Sequence, residues 1–173
     1  MTAKNILILG GYGYTGAVIA QLLVQETDAR VIVAGRSLEK ASRCADQLNA
    51  ASGAERVIPR QVDAASLEGL QQGLRGANLL VVASSTSQYA RQVARAALKA
   101  GIDTLDIQYS RQKTRILREL AGEIEQAGLC FVTDGGFHPG LPGALARYAG
   151  QRLEQLSSAR VGSVIKIDWC QYP

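Results

Sequence analysis

The chain has little of several residue types that commonly define a site or a stabilising framework. Aromatic residues make up 5% of its 173 residues, and it has three cysteines and one histidine. Cys44, Cys130 and Cys170 lie far apart, and no two cysteines form a Cys-x-x-Cys pair. Neither a disulfide framework nor a metal site of regular spacing is indicated, and we expect ordinary thiols in a reducing compartment.

Long apolar runs and runs of like charge are also missing. No apolar run approaches the roughly 20 residues of a membrane span, and the N-terminus lacks the pattern of a signal peptide. The net charge is only +4, and the densest basic stretch, between Arg111 and Arg118, is interpreted as a solvated helix face or, alternatively, a docking face for an acidic partner. We therefore expect a cytoplasmic protein that binds neither membranes nor nucleic acids.

Strand-like and helix-like segments alternate along most of the chain. The apolar run at 79–83 indicates a strand buried on both faces, and Pro59 indicates an edge location or an irregular start for its strand. Six strands separated by five helices predict an α/β fold with a doubly wound parallel sheet, whose ligands bind at the carboxyl ends of the strands. The predicted strands are 6–9, 30–34, 57–62, 79–83, 102–107 and 129–133; the predicted helices are 17–24, 38–50, 66–73, 88–100 and 114–127.

A glycine-rich turn joins the first strand to the first helix. Gly11, Gly13 and Gly16 match G-x-G-x-x-G in the strand–turn–helix context that makes this motif a dinucleotide-binding signal. Gly11 allows the tight turn, Gly13 lets the backbone approach the pyrophosphate, and Gly16 lets the helix pack against the strand. The alternative is a tight turn that binds no ligand. The predicted cofactor-binding residues of this turn are Gly11, Tyr12, Gly13, Tyr14, Thr15 and Gly16.

The end of the second strand indicates which dinucleotide is bound. NAD-binding domains carry an acidic residue there, which accepts hydrogen bonds from the ribose hydroxyls. This chain has Arg36 and Ser37 instead, with Lys40 one turn further on. A guanidinium can hold a 2′-phosphate with two charge-assisted hydrogen bonds. We therefore expect NADP(H) in preference to NAD(H), although Arg36 would also suit a solvated position before a helix.

Two further strand ends supply candidate cofactor contacts. Asp63, after the third strand, is expected either to approach the adenine or to cap the next helix. Ser84, Ser85 and Thr86 follow the buried fourth strand and are expected to face the nicotinamide half of the cofactor. The alternative is that this segment only supplies Ser87 as the cap of the next helix.

No catalytic residue follows from the sequence. Tyr109 and Lys113 match the Tyr-x-x-x-Lys pair of short-chain dehydrogenases, but the pair follows the fifth strand too closely to lie in the long helix that carries it in that family. His138 lies in a glycine-rich loop, where a general acid or base is conceivable and a structural or exposed role is the alternative.

The composition changes after the sixth strand. A loop rich in glycine and proline covers 134–143, a helix is predicted over 144–156, and a strand is predicted over 161–169 with no partner in the chain. We interpret residues 1–150 as the dinucleotide-binding domain. Residues 151–173 are interpreted as the end of a connecting helix and the first strand of a truncated second α+β domain.

Four segments occur in the order seen in saccharopine dehydrogenase-like reductases, and the chain resembles their N-terminal NADP-binding Rossmann domain over about residues 4–150. The resemblance implies that Asp106 and the 137–140 loop lie beside the nicotinamide and that a second domain contributes substrate contacts and dimerisation. His138 stands where the family usually has an acidic residue. The segments are 11–16, 34–37, 104–106 and 136–141.

The resemblance implies an NADP-dependent oxidoreductase that transfers hydride to or from a C–N or C–O carbon of a small, amino-acid-derived substrate. The chain alone is expected to bind cofactor without efficient turnover and to form a homodimer only through the missing domain. The alternatives are a non-enzymatic NADP(H) sensor, a short-chain dehydrogenase-like reductase and a scaffold that binds no nucleotide.

Overall fold

A computed structural model of the chain describes residues 4–136 and 140–162. Its centre is a six-stranded parallel sheet in the order β3-β2-β1-β4-β5-β6, so the chain reverses its direction of travel between β1 and β4. This confirms the predicted doubly wound fold and places a ligand crevice at the carboxyl ends of β1 and β4. The strands are β1 (Asn5–Leu9), β2 (Arg30–Gly35), β3 (Val57–Gln61), β4 (Leu79–Val82), β5 (Asp103–Asp106) and β6 (Phe131–Val132).

Helices cover both faces of the sheet because successive side chains of the inner strands point to opposite faces. Ile8 and Val33 pack with α1 and α2 on one face, whereas Leu9 and Ile32 pack with α3 and α4 on the other. Ile116 and Leu120 form a third cluster where α5 meets α4. The helices are α1 (Tyr14–Glu26), α2 (Leu38–Ser52), α3 (Leu67–Gly73), α4 (Ala90–Ala100), α5 (Arg111–Glu119), α6 (Ala121–Gln126) and α7 (Leu141–Gly150).

Several predicted boundaries differ from those of the structure, and three of them matter for the site or the sheet. The helix predicted over 114–127 is two helices, α5 and α6, and α5 already begins at Arg111 because Ser110 caps it by accepting a hydrogen bond from the Lys113 amide. The helix predicted from 144 begins at Leu141, since a proline is tolerated in the first turn. The sixth strand is only two residues long.

Pro59 lies on β3, at an edge of the sheet, as its residue type predicted. The predicted strand at 161–169, the loop residues Phe137–Pro139 and hence His138 lie wholly or mainly outside the described residues.

Candidate functional site

The glycine turn brings β1, α1 and β4 into direct backbone contact. Gly10 has φ +86°, and a Cβ placed on it would lie 2.6 Å from the Ser84 Cβ. A Cβ on Gly16 would lie 2.1 Å from the Gly10 carbonyl oxygen, and one on Gly11 would lie 3.0 Å from the Val33 Cα. Gly10 therefore takes the left-handed conformation of the turn, while Gly11 and Gly16 are needed for close packing.

The first turn of α1 is open to an anion. The helix begins at Tyr14 with Gly13 as its N-cap, and no side chain caps it. Its first turn carries no acidic residue. The positive end of the helix dipole favours a phosphate group at such a position.

Tyr12 connects the glycine turn to the end of β2. Its phenolic oxygen accepts a hydrogen bond from the Ser37 amide at 3.1 Å. Its ring lies over Gly35, where a Cβ would come within 2.6 Å of the ring carbon Cε1. Because the phenol accepts from Ser37, its own proton is available to a ligand on the open side.

Arg36 lies beside Tyr12 with an exposed side chain. Its carbonyl oxygen accepts a hydrogen bond from Gln61 Nε2 at 3.0 Å, which fixes its backbone to β3. Across residues 4–136 and 140–162, no carboxylate lies within ion-pair distance of its guanidinium, so that charge is available to an anion.

A cleft of about 680 Å³ runs along the carboxyl ends of the strands and collects most of the predicted residues. A volume of this size falls within the range of small-molecule and cofactor sites. The predicted residues that line it are Tyr12, Gly13, Tyr14, Thr15, Arg36, Asp63, Ser84, Ser85 and Thr86; the lining also includes Gln88, Tyr89 and Gln108, which sequence reasoning missed.

Three predicted residues lie behind the lining of the cleft. Gly11 and Gly16 are buried in the turn. The Ser37 hydroxyl caps α2 by accepting a hydrogen bond from the Lys40 amide. Asp63 lines the cleft, and its Oδ1 accepts a hydrogen bond from the Ala65 amide in the turn before α3. The capping role expected of Asp63 belongs instead to Ser66, whose Oγ accepts from the Gly69 amide at the start of α3.

A buried cluster of charged groups lies behind the other end of the cleft. The Lys113 side chain is 3% exposed, and its Nζ lies 2.8 Å from Asp106 Oδ1 and 3.8 Å from Asp134 Oδ1. The same ammonium donates to the Gln108 carbonyl oxygen. The sequence indicated Asp106 only through the family resemblance, and only the fold brings Asp134 and Lys113 to it.

The two residues of the Tyr-x-x-x-Lys match have different environments. Tyr109 is 58% exposed, and its hydroxyl accepts a hydrogen bond from Arg111 Nε. Lys113 is buried and is occupied by the cluster described above. This arrangement does not suit a tyrosine and a lysine that act together on a substrate in the cleft.

Membrane-spanning helices and clustered metal-binding side chains are both absent from the described ranges. No helix there is long and apolar enough to cross a bilayer. Residues 4–136 and 140–162 also contain no group of three or more metal-binding side chains. Cys44 lies under the glycine turn, with its Sγ 3.8 Å from the Gly11 carbonyl oxygen, and burial raises the pKa of its thiol.

Comparison of the sequence with known families gives a match over residues 6–132 to the family described as saccharopine dehydrogenase NADP binding domain. The match runs from the second residue of β1 to the end of β6 and includes all the residues that line the cleft.

Solved structures share the fold at low sequence identity. The apo saccharopine dehydrogenase (L-Glu forming) of Saccharomyces cerevisiae is 23% identical with a TM-score of 0.69, and the match covers 86% of this chain and 31% of that chain. The Citrobacter triphenylmethane reductase complexed with NADP(H) is 22% identical with a TM-score of 0.56, over 74% and 48% of the two chains. The sorbitol-6-phosphate 2-dehydrogenase of Erwinia amylovora is 18% identical with a TM-score of 0.59, over 85% and 78%. The chain thus spans about a third of the length of the yeast enzyme.

Proposed function

Since the chain belongs to the family of saccharopine dehydrogenase NADP-binding domains, we propose that its cleft holds NADP(H) in preference to NAD(H) for an oxidoreductase reaction. The pyrophosphate binds at the first turn of α1, and the 2′-phosphate lies between Arg36 and Tyr12. Ser84, Ser85 and Thr86 face the nicotinamide half.

One observation carries this proposal. The cleft joins the N-terminus of α1, whose N-cap is the glycine Gly13, to an exposed guanidinium at the end of β2 that pairs with no carboxylate of residues 4–136 and 140–162. Both features favour phosphate groups, and together they match a dinucleotide that carries an additional phosphate on its ribose. An acidic residue, which would repel that phosphate, is missing from the Arg36 position.

The proposed reaction is hydride transfer to or from a C–N or C–O carbon of a small substrate. When bound, the nicotinamide supplies or accepts the hydride, and the residues of the chain orient the cofactor and exclude water. Because the chain spans 31% of the yeast enzyme's length, substrate contacts and dimerisation are proposed to involve a second domain that starts within 151–173. Gly11, Gly16 and Ser37 support the cofactor from behind the lining.

The test is a calorimetric titration of the chain with NADPH and, separately, with NADH. We expect NADPH to bind more tightly, and Arg36→Ala to weaken NADPH binding by about 10- to 100-fold, the loss of one to two charge-assisted hydrogen bonds. The same substitution should change the affinity for NADH by no more than about twofold.

Arg43→Ala is the matched control, because Arg43 is an exposed arginine on the adjacent helix α2 and is paired with Glu39. It should leave both affinities unchanged. Equal binding of NADPH and NADH by the unmodified chain would refute the preference, and failure of both to bind would refute the cofactor assignment.

A further inference from the structure

Lys113 occupies a position that is unfavourable for a lysine on two counts. It lies in the first turn of α5, where the positive end of the helix dipole disfavours a cation. It is also only 2% exposed, and removing an ammonium group from water is costly unless it is paired and hydrogen-bonded. Local violations of this kind are concentrated at functional sites, so the contacts of Lys113 indicate what it does.

Those contacts hold the backbone of Gln108, which is one of the residues that line the cleft. The Gln108 amide donates to Asp106 Oδ1 at 2.8 Å, and the Gln108 carbonyl oxygen accepts from Lys113 Nζ. The Asp106–Lys113 ion pair, at 2.8 Å, connects the two anchors. Both backbone polar groups of Gln108 are therefore held by the Asp106–Lys113 ion pair, and Gln108 is one of the residues that line the cleft.

Asp134, two residues after the end of β6, is the third charged residue of this cluster. It is the only non-glycine residue with positive φ in the described ranges, at +58°. Its Oδ1 is buried and lies 3.8 Å from Lys113 Nζ, without a hydrogen bond from the described residues. The ammonium thus draws together the ends of β5 and β6 as well as Gln108.

Gln108 lies at the opposite side of the cleft from Arg36. Asp106 ends β5 and pairs with Val82 at the end of β4, and the next residue, Ile107, donates its amide to the Val82 carbonyl oxygen. The chain after β4 lines the cleft from Ala83 to Thr86, on the side away from β2 in the strand order. If the 2′-phosphate lies at Arg36, this side is where the nicotinamide half reaches.

We infer that Lys113, acting with Asp106, is a positioning residue that holds Gln108 against the carboxamide of the nicotinamide ring. This inference rests on the proposed cofactor function and deepens it by assigning the residue that fixes the reactive half. Lys113 itself does not touch the cofactor.

The experiment separates the two halves of the cofactor. Unmodified chain and the double variant Lys113→Met/Asp106→Asn are titrated with NADPH and with 2′-phospho-ADP-ribose, which lacks the nicotinamide. The double variant removes both members of the ion pair, so no uncompensated buried charge from that pair is left to unfold the chain. Fluorescence of the dihydronicotinamide reports whether the ring is immobilised, and circular dichroism reports whether the variant is folded.

In the unmodified chain, the dihydronicotinamide emission should rise and shift to shorter wavelength on binding. In the double variant, that change should be lost and the NADPH affinity should fall by about tenfold, which corresponds to one hydrogen bond to the ring carboxamide. The affinity for 2′-phospho-ADP-ribose should stay within about twofold, because the Arg36 end is untouched.

Arg111→Met is the matched control, since Arg111 is a cation of the same first helical turn but is exposed. It should bind both ligands as the unmodified chain does. A folded double variant with normal NADPH fluorescence, or equal weakening of both ligands, would show that Lys113 has only a structural role. If the unmodified chain binds neither ligand, the proposed function itself is wrong and the inference falls with it.

Discussion

Tyr12 connects the glycine turn to the end of β2, the two places where the pyrophosphate and the 2′-phosphate are proposed to bind. Its ring rests on Gly35, and its hydroxyl accepts from the Ser37 amide. Tyr12→Phe keeps the ring and removes that acceptor, so we expect a loss of about 1 kcal/mol in the free energy of unfolding. We also expect NADPH to bind about three- to tenfold more weakly, because the loop that carries Arg36 loses its support and the phosphate loses a donor.

Calorimetry and thermal unfolding measure these two effects. Tyr148→Phe is the control, since Tyr148 is 62% exposed on α7. An unchanged NADPH affinity in Tyr12→Phe would show that the hydroxyl is not part of the cofactor site.

The cysteines offer a second prediction at the residue scale. Burial raises the pKa of the Cys44 thiol, whereas Cys130 is exposed. Because the thiolate is the reactive form, Cys44 should be alkylated by iodoacetamide more slowly than Cys130. The alkylation rate of Cys44 should continue to rise with pH beyond the pKa range of an ordinary thiol, because burial raises the pKa of its thiol. Peptide-resolved mass spectrometry over a pH series measures both rates, and equal labelling at neutral pH would contradict the prediction.

At the scale of elements, the packing of β1 against α1 depends on Gly16. A Cβ there would lie 2.1 Å from the Gly10 carbonyl oxygen, and backbone cannot move aside as a side chain can. Gly16→Ala should therefore lower the free energy of unfolding by about 1–3 kcal/mol and abolish NADPH binding by displacing the turn. Denaturant titration and calorimetry test this.

Gly122→Ala is the control for a glycine inside a helix. A Cβ at Gly122, in α6, meets nothing within 4 Å, so this variant should be stabilised by about 0.4–1 kcal/mol and should bind NADPH normally. If both variants behaved alike, the close approach at Gly16 would not be what specifies glycine.

The sequence predicted the elements whose signals are local. The glycine turn, the apolar run of β4 and the helix-ending Gly101 all act over a few residues, and each was located correctly. The break between α5 and α6 was missed because both helices keep apolar residues facing α4, so the periodicity continues through Leu120. Continuous periodicity indicates a shared face and does not exclude a break in the backbone hydrogen bonds.

The residues of the candidate site also divide into those that local sequence predicts and those that only the fold brings together. Arg36 and the glycine turn are near one another in sequence and carry known spacings, so they could be assigned before the fold was known. Gln108 and the contact of Lys113 with Asp134 depend on the order of β4, β5 and β6 and on which way a side chain turns at a strand end. Sequence spacing does not encode either of these.

At the scale of the whole molecule, a ligand that bridges the cleft should stabilise the entire sheet. NADPH at about 100 times its Kd should add about 2.7 kcal/mol to the free energy of unfolding. For a chain of this length that corresponds to a rise in Tm of about 5–10 °C. Thermal unfolding with NADPH and with NADH at the same concentration should show the larger shift for NADPH, and Arg36→Ala should remove most of the difference. Identical Tm shifts with NADPH and NADH would contradict the expected preference for NADPH.

Pro59 has a consequence for how the molecule meets its neighbours in a crowded solution. The Arg56 carbonyl and the Val62 amide both bond to β2, so alternate residues between them face β2 and Pro59 falls on the outward-facing set. At that position an ordinary residue would offer an N–H to the solvent, whereas proline offers none. An incoming strand from another copy would find a gap in the ladder of donors. Pro59 therefore makes the outer edge of β3 a poor template for fibril growth. This protection does not depend on a loop that covers the edge or on a charged side chain.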